Sequence, residues 1–518
     1  MSLTRLTYKL AFERRYKEIQ RYAAHTPELQ KMQLRWLVNH AKDTTFGKAH
    51  RFETLVVGRE GINYKEFASR VPLQTYDEQK PWIERMLNGE ENVLWPGLCK
   101  WFAKSSGTTS DKSKYIPVTQ DALQRTHMRG GSDALAIYLA LNPESKVMKR
   151  LGKALILGGS FSEETLPKGI KAGDLSATLI QNVAPLANII RTPSKDIALM
   201  TEWEAKLKAI TEATMDQNIT SISGVPSWMM GVLRNVLKEK GAKDITEVWP
   251  NLEVFFHGGI AFGPYRQQYK QLIPSENMHY LETYNASEGF FGIQSSWDDQ
   301  ALQLIVDNRT FYEFIPMDEY EEGSQEMTAI PLKEIEIGKN YAMVISTPGL
   351  WRYIIGDTVR FTQRDPYKFV ITGRTKAFIN AFGEELMVSN ADEALSMACR
   401  EMGCEIADYT AGPTFAQEGK KGRHTWVIEF SKTPEDLEAF SNLLDTYLQE
   451  VNSDYEAKRY KGIFLDRLEL IPAPAGTFDE WLRQKKGKLG GQIKIPRLSN
   501  SRQYIEELHI IITTKAKS

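Results

Sequence analysis

Three cysteines in 518 residues, Cys99, Cys399 and Cys404, are too few for a disulfide framework. The lone C-x4-C pair has no second cysteine or histidine cluster to complete a tetrahedral zinc site, so all three read as reduced and packed. Charge of one sign is also missing. Lys and Arg number 65 against 66 Asp and Glu, a net charge of −1 at pH 7, which removes the basic surplus that draws a chain to nucleic acid or anionic lipid. Long apolar runs are absent too: the longest uncharged stretches, 175–190 and 217–233, contain Pro, Asn, Gln and Ser. They fall short of the roughly 18 apolar residues a membrane span requires. Arg5, Lys9, Arg14 and Arg15 stand where a signal peptide needs an apolar core, and the expected location is the cytoplasm. No period of about 20 to 50 residues recurs, which excludes solenoids and propellers.

What is present is ample core material, 42% hydrophobic and 25% charged residues, in a chain long enough for about three domains or for one large α/β body with a smaller appendage. Helical and strand-like segments alternate. Leu29, Met32, Leu34, Trp36, Leu37 and Val38 repeat at helical spacing, with Thr26 before Pro27 as the expected N-cap. Thr201 with Glu204 reads as a capping box for a helix through about Thr214. Thr433-Pro434 reads as the opening of a helix whose face is Leu437, Phe440, Leu443, Leu444, Tyr447, Leu448 and Val451.

Short apolar runs at 154–157, 254–256, 341–346 and 369–372 read as buried strands, three of them ending in Gly158-Gly159, Gly258-Gly259 and Gly373. Strands ending in glycine place loops at the sheet edge where open α/β sheets bind ligands. The run 424–430 sets Trp426, Ile428 and Phe430 on one face of a strand and precedes the Thr433 helix, as in a separate small α+β domain. Gly373 followed by polar Arg374, Thr375 and Lys376 puts the boundary near 372–375.

Four segments could carry chemistry. Ser105-Ser106-Gly107-Thr108-Thr109-Ser110-Asp111-Lys112-Ser113-Lys114 holds five hydroxyl residues and a glycine in its first six places, so that backbone N–H groups and hydroxyls can converge on an anion with a lysine nearby. It does not fit G-x-x-x-x-G-K-[ST], and by itself it equally describes a polar surface loop. Tyr284-Asn285-Ala286-Ser287-Glu288-Gly289 follows the strand-like 279–282 and precedes the apolar 290–293. A tyrosine face can stack on a purine and a carboxylate can hold Mg2+ against phosphate, although a hairpin turn with a solvated glutamate has the same sequence. Leu350 to Val359 reads as a strand ending in Gly356-Asp357, where an aspartate can accept both ribose hydroxyls. Lys485-Lys486-Gly487-Lys488-Leu489-Gly490-Gly491-Gln492-Ile493-Lys494-Ile495-Pro496-Arg497 is a basic run with two adjacent glycines that could deliver a lysine into a cleft or remain a solvated tail.

In order, these segments resemble the adenylate-forming superfamily of acyl-activating enzymes. Ser105 to Thr109, Tyr284 to Glu288 and Tyr353-Ile354-Ile355-Gly356-Asp357 are similar to the three nucleotide motifs of the plant auxin-responsive acyl-acid amido synthetases and their microbial relatives, from about Gln30 to the C-terminus. Asp111 departs from the family's usual glycine, and Trp351 and Ile355 vary the third motif.

The resemblance implies an α/β fold. A large N-terminal domain of mixed sheets flanked by helices, residues 1–373, would bind ATP and acid, and a smaller mobile α+β domain, 374–518, would rotate after adenylation. It implies ATP-dependent adenylation of a small carboxylic acid, with Mg2+, and transfer of the acyl group to an amino acid.

Carried over by residue, Ser105, Ser106, Thr108, Thr109 and Lys114 would cradle the β and γ phosphates, and Gly258 and Gly259 would line the adenine. Tyr284 would stack on that base, with Ala286 and Ser287 beside the nucleotide. Glu288 would hold Mg2+ and take part in catalysis. Asp357 would grip the ribose with Arg374 at the hinge, and Lys494, with Lys488 as rival, would bridge carboxylate and α-phosphate. An acyl-CoA ligase, with Lys420, Lys421 and Arg423 for the coenzyme's phosphates, and a silent nucleotide-binding module are the alternatives. Arg129, after the hydroxyl-rich loop, could pair with a polar acyl substrate or belong to its helix surface. The oligomeric state stays open, a monomer included.

Overall fold

Glycines that end apolar runs shape the first of two compact units. A computed structural model describes residues 3–57, 61–105, 114–147, 152–259, 262–321, 326–375, 378–379, 381, 384, 386–414, 422–459, 465–486, 495–499 and 501–515. The larger unit spans most of the chain to Val370, and the smaller one comprises Ile371–Ser518 with Gly356–Thr358.

Among the described residues of the larger unit, a mixed twelve-stranded sheet has a parallel run at one end. In it His279–Ala286 pairs with Val254–His257, which pairs with Ile219–Gly224, which pairs with Lys153–Ile156. Helices cover both faces of these strands, and apolar side chains pack on each face. Phe255, Ile222 and Leu155 pack under the helices Trp203–Thr214 and Pro226–Lys240, while Val254 and Leu281 face a core shared with the helix Met128–Leu141. All four expected strands form, at Lys153–Ile156, Val254–His257, Asn340–Thr347 and Tyr367–Arg374. The carboxyl ends of the first two lead into Gly158-Gly159 and Gly258-Gly259 on one sheet edge. A separate three-stranded sheet pairs Trp101–Ser105 with Lys114–Pro117 and Lys171–Gly173.

The smaller unit folds around a three-stranded sheet of Glu405–Thr414, Arg423–Lys432 and Glu469–Ala473. Trp426 and Ile428 pack against the helices Val388–Met402 and Leu437–Val451, and Val427 packs on the opposite face against Thr477–Lys486 and Gln503–Lys515. Phe430 meets Phe440 edge-on at 5.3 Å. Both faces are thus covered, where the sequence pattern marks only one.

Three helix starts and one strand end differ from expectation. The helix expected at Thr26 begins at Tyr22; the Thr26 hydroxyl donates back to the Tyr22 carbonyl at 2.7 Å, and Pro27 lies inside the helix. Glu202, not Thr201, caps Trp203–Thr214 by accepting from the N–H groups of Glu204 and Ala205. Asp436, not Thr433, caps Leu437–Val451 by accepting from Glu438 and Ala439. In the latter two helices an oxygen closer to the free N–H groups takes the cap, whereas the first begins at Arg21 with no side-chain cap. The strand does not stop at Gly356-Asp357 but continues to Arg364, with Gly356 at φ +85°, a conformation that glycine adopts without a Cβ clash. No helix among the described residues is long and apolar enough to cross a membrane.

Candidate functional site

One glycine brings two of the motif segments together. A Cβ on Gly258 would stand 2.2 Å from the Thr283 carbonyl oxygen, so only glycine lets the turn after Val254–His257 lie against the neighbouring strand. That strand, His279–Ala286, continues through Tyr284 into a hairpin with Gly289–Gln294. Ala286 pairs with Gly289, leaving Ser287 and Glu288 as a two-residue turn. The turn residues are half-buried. A register shift between Tyr284 and Asn285 marks a bulge, which re-aims side chains at the strand's end. The Tyr284 ring is 7% exposed and packs edge-on against Phe291 at 5.0 Å and Phe369 at 6.2 Å.

A π-helical turn, Ala122–His127, leads into Met128–Leu141 and supports the hairpin. The His127 Nδ1 lies 3.1 Å from Asn285 Oδ1, and burial lowers the imidazole pKa to about 4, so it is neutral at pH 7. Asn308 donates to the Phe290 carbonyl at 2.6 Å, and a Cβ on Gly130 would overlap the Phe290 ring. Arg129, considered as a partner for a polar acyl substrate, instead pairs with Asp307 at 3.0 Å, in the network where Arg15 binds Asp133 and Asp307 at 2.7 Å. The buried carboxylates draw both guanidinium groups into the fold.

At the base of the hydroxyl-rich loop, Ser105 pairs with Lys114 across an antiparallel ladder. The Lys114 Nζ stands 5.5 Å from the Tyr76 ring centroid, and the Tyr76 hydroxyl accepts from the Tyr115 N–H at 2.8 Å. Lys104 binds Glu164 at 3.0 Å, and Tyr115 donates to the same carboxylate at 2.9 Å. Ser106, Thr108, Thr109 and Asp111 lie outside the described residues.

In the smaller unit Asp357 and Arg374 meet at 3.0 Å, with Asp357 13% and Arg374 47% exposed at the side chain. The Thr375 N–H donates to the Gly356 carbonyl at 2.8 Å, and Thr372 bonds Thr358 at 2.9 Å, so both ends of this pair rest on backbone fixed by short-range bonds. Lys488, Lys494, Lys420 and Lys421 lie outside the described residues. Directly after Lys494, the segment 496–499 is fastened to the sheet: Thr410 donates to the Pro496 carbonyl at 2.6 Å, and Ala411 exchanges bonds with Arg497 and Ser499 at 2.8 and 3.0 Å.

Models of the GH3 family match almost the whole of these regions: its N-terminal domain at residues 15–187 and 172–278, its central domain at 303–374, and its C-terminal domain at 389–503. The chain belongs to the GH3 family. It is 23% identical over 543 residues to the indole-3-acetic acid-amido synthetase GH3.3 of Arabidopsis thaliana, covering 90% of this chain and 89% of that protein. Its fold is similar to that of the GH3.15 acyl acid amido synthetase, with a TM-score of 0.74 at 16% identity over 94% of each chain. The fold extends to a 2-hydroxyisobutyryl-CoA ligase in its postadenylation state, with a TM-score of 0.59 at 12% identity over 94% of this chain and 91% of that one. The GH3 family membership and the adenylate-forming fold stand as the sequence motifs imply.

Three polar groups beside these segments carry no role in the sequence analysis: His127 in the π turn, the Asn285 that meets it, and His257 beside Gly258. Asn285 lies inside a segment that was read, and its polar side chain among apolar neighbours was an available signal. A π turn and a buried histidine leave none.

Proposed function

We propose that this chain is an ATP-dependent acyl-acid amido synthetase that converts a small carboxylic acid to its acyl-adenylate, releases pyrophosphate, and passes the acyl group to the amine of an amino acid. The observation that carries the reading is the packing of the Gly258-Gly259 turn on the strand leading to Tyr284 and Glu288, at the carboxyl edge of parallel strands, where a nucleotide can be bound. GH3 membership and the amido synthetase names of its relatives support the same reading.

A carboxylate is a poor acyl donor because its leaving group would be oxide; the adenylate supplies a phosphate leaving group instead. Adenylation requires the acid oxygen aligned with the α-phosphorus and neutralised charge on the departing pyrophosphate. In this assignment Ser105, Ser106, Thr108, Thr109 and Lys114 hold the β and γ phosphates through N–H, hydroxyl and ammonium donors. Gly258 and Gly259 line the adenine with Tyr284, and Ala286 and Ser287 border the nucleotide. Asp357 accepts the ribose hydroxyls with Arg374 beside it, and Lys494 binds the acid carboxylate and α-phosphate. Glu288, half-buried at the tip of a two-residue turn, suits Mg2+ held by one carboxylate and phosphate oxygens. Bound there, Mg2+ would neutralise phosphate charge. A mobile domain from residue 374 and a cytoplasmic location belong to the same proposal.

Acid-dependent exchange of labelled pyrophosphate into ATP, over aromatic, aliphatic and hydroxylated acids, tests the first half-reaction; product analysis with the twenty L-amino acids and with coenzyme A tests the acceptor. Exchange with an acid and an amide product are expected. A thioester product alone would establish a CoA ligase, and no exchange with any acid would defeat the reading. Gly258→Ala is expected to raise the KM for ATP about tenfold or more, since the added methyl overpacks the turn by roughly 1–3 kcal/mol.

A further inference from the structure

A stretch without a motif of its own, Gln74 to Gln79, touches two of the motif segments within the larger unit. On one side it holds the strand that runs on to Gly356-Asp357. The Gln74 carbonyl accepts from the Ile354 N–H at 2.8 Å, and its N–H donates to the Arg352 carbonyl at 3.0 Å, a parallel bridge to Tyr353. The buried Gln79 side chain donates to the Trp351 carbonyl at 2.7 Å. On the other side it meets the base of the hydroxyl-rich loop. The Tyr76 hydroxyl accepts from the Tyr115 N–H at 2.8 Å, and the Tyr76 ring centroid lies 5.5 Å from the Lys114 ammonium.

The stretch is built to be stiff. Thr75 opens the helix Tyr76–Leu87 with a capping box, its N–H donating to the Glu78 carboxylate at 2.6 Å, so Tyr76 is the first helical residue. The half-buried Tyr76 ring packs against both the core that contains Tyr353 and the core that contains Trp351. Nearby Lys104 is held in another way, by the Glu164 carboxylate at 3.0 Å, which neutralises it. A ring face orients an ammonium through its quadrupole and contributes no negative charge. A lysine that is to meet phosphate is therefore better steadied by a ring than by a carboxylate.

We propose that Tyr76 is a positioning residue for adenylation. Its ring aims the Lys114 ammonium, its hydroxyl fixes the strand that carries Lys114, and Gln74 and Gln79 hold this mount in register with the Trp351–Ile354 strand. The proposal rests on the amido synthetase reading, in which Lys114 meets the β and γ phosphates. Tyr76 acts through Lys114 and makes no contact with substrate of its own. A positioning role of this kind predicts a split between nucleotides. ATP carries the phosphates that Lys114 holds and AMP does not, so loss of Tyr76 weakens ATP and spares AMP. A purely structural tyrosine would weaken both, because both share the base and ribose contacts.

The KM for ATP in acid-dependent pyrophosphate exchange and the Kd for AMP by equilibrium dialysis are measured for wild type, Tyr76→Phe and Tyr76→Leu. Tyr76→Leu is expected to raise the ATP KM about tenfold or more, with the AMP Kd within about twofold of wild type. Tyr76→Phe keeps the ring and loses only the hydroxyl acceptor. It is expected to raise the ATP KM about threefold with the AMP Kd unchanged, and it carries the test if Tyr76→Leu does not fold. AMP weakened as much as ATP, an ATP KM unchanged in both variants, or phenylalanine no better than leucine overturns the proposal. A wild-type chain that exchanges no pyrophosphate with any acid defeats the amido synthetase reading instead.

Discussion

Two polar clusters in this chain are built on opposite rules. In the smaller unit, Asp445 accepts from Tyr455 at 2.8 Å and from Arg459 at 2.6 and 2.9 Å, while Arg459 also donates to the Leu465 carbonyl at 2.8 Å. Its buried charges are answered within the fold. In the larger unit, His257 and Tyr280 are buried with no such answer, and Glu282 is held away from its ordinary ionisation. A satisfied cluster fixes packing; an unsatisfied one costs stability.

Breaking the satisfied cluster should have the largest effect. Arg459→Ala strands the Asp445 carboxylate, 5% exposed at its side chain, and is expected to destabilise the chain by about 3–5 kcal/mol in urea unfolding. Next comes the pH dependence of the unsatisfied one. Because the folded state raises the Glu282 carboxyl from 4.5 to about 7, that state keeps a proton which the unfolded chain releases first. Stability contributed by this group is present below pH 4.5 and lost as pH rises through about 7, by about 2–3 kcal/mol. The loss should vanish in Glu282→Gln, with Arg266, His257 and Tyr280 left in place; an unchanged profile would show that the carboxyl is ordinary.

His257→Phe sharpens the contrast from the other side. Replacing an unpartnered imidazole stacked on Phe262 by a ring of similar shape should raise stability by about 1 kcal/mol. Thermal melts would show it; a loss of stability would mean that the ring nitrogens are satisfied. Smallest is Arg374→Ala. This half-exposed partner of Asp357 should change stability by less than about 1 kcal/mol by the same melts, so any larger deficit in activity reflects substrate handling rather than folding.

The contrast also marks how far sequence reasoning reaches. Strands at 153–156 and 254–257 were legible because apolar runs end in glycine pairs, and the 423–432 strand because Trp426 and Ile428 alternate. Glycine and hydrophobic period are local signals. The caps were misread because Glu202 and Asp436 compete with Thr201 and Thr433 a few residues away, and only backbone geometry decides which oxygen reaches the N–H groups. Gly356-Asp357 has the composition of a turn, yet neighbouring strands hold it within a strand. The family was readable from three segments taken as a set, since their order survives where each alone is ambiguous. His257 escaped notice because orphaned nitrogens are a property of packing, and the alternatives for Arg129 stayed open because its partner Asp307 lies far away along the chain.

The central claim is that an organic acid is activated as its adenylate. The most direct test supplies the acid labelled with 18O in its carboxylate, together with ATP and an amino acid, and follows the label by mass spectrometry. The account predicts one 18O atom in the AMP released alongside the amide. Unlabelled AMP, or label in inorganic phosphate with ADP as the nucleotide product, would contradict it.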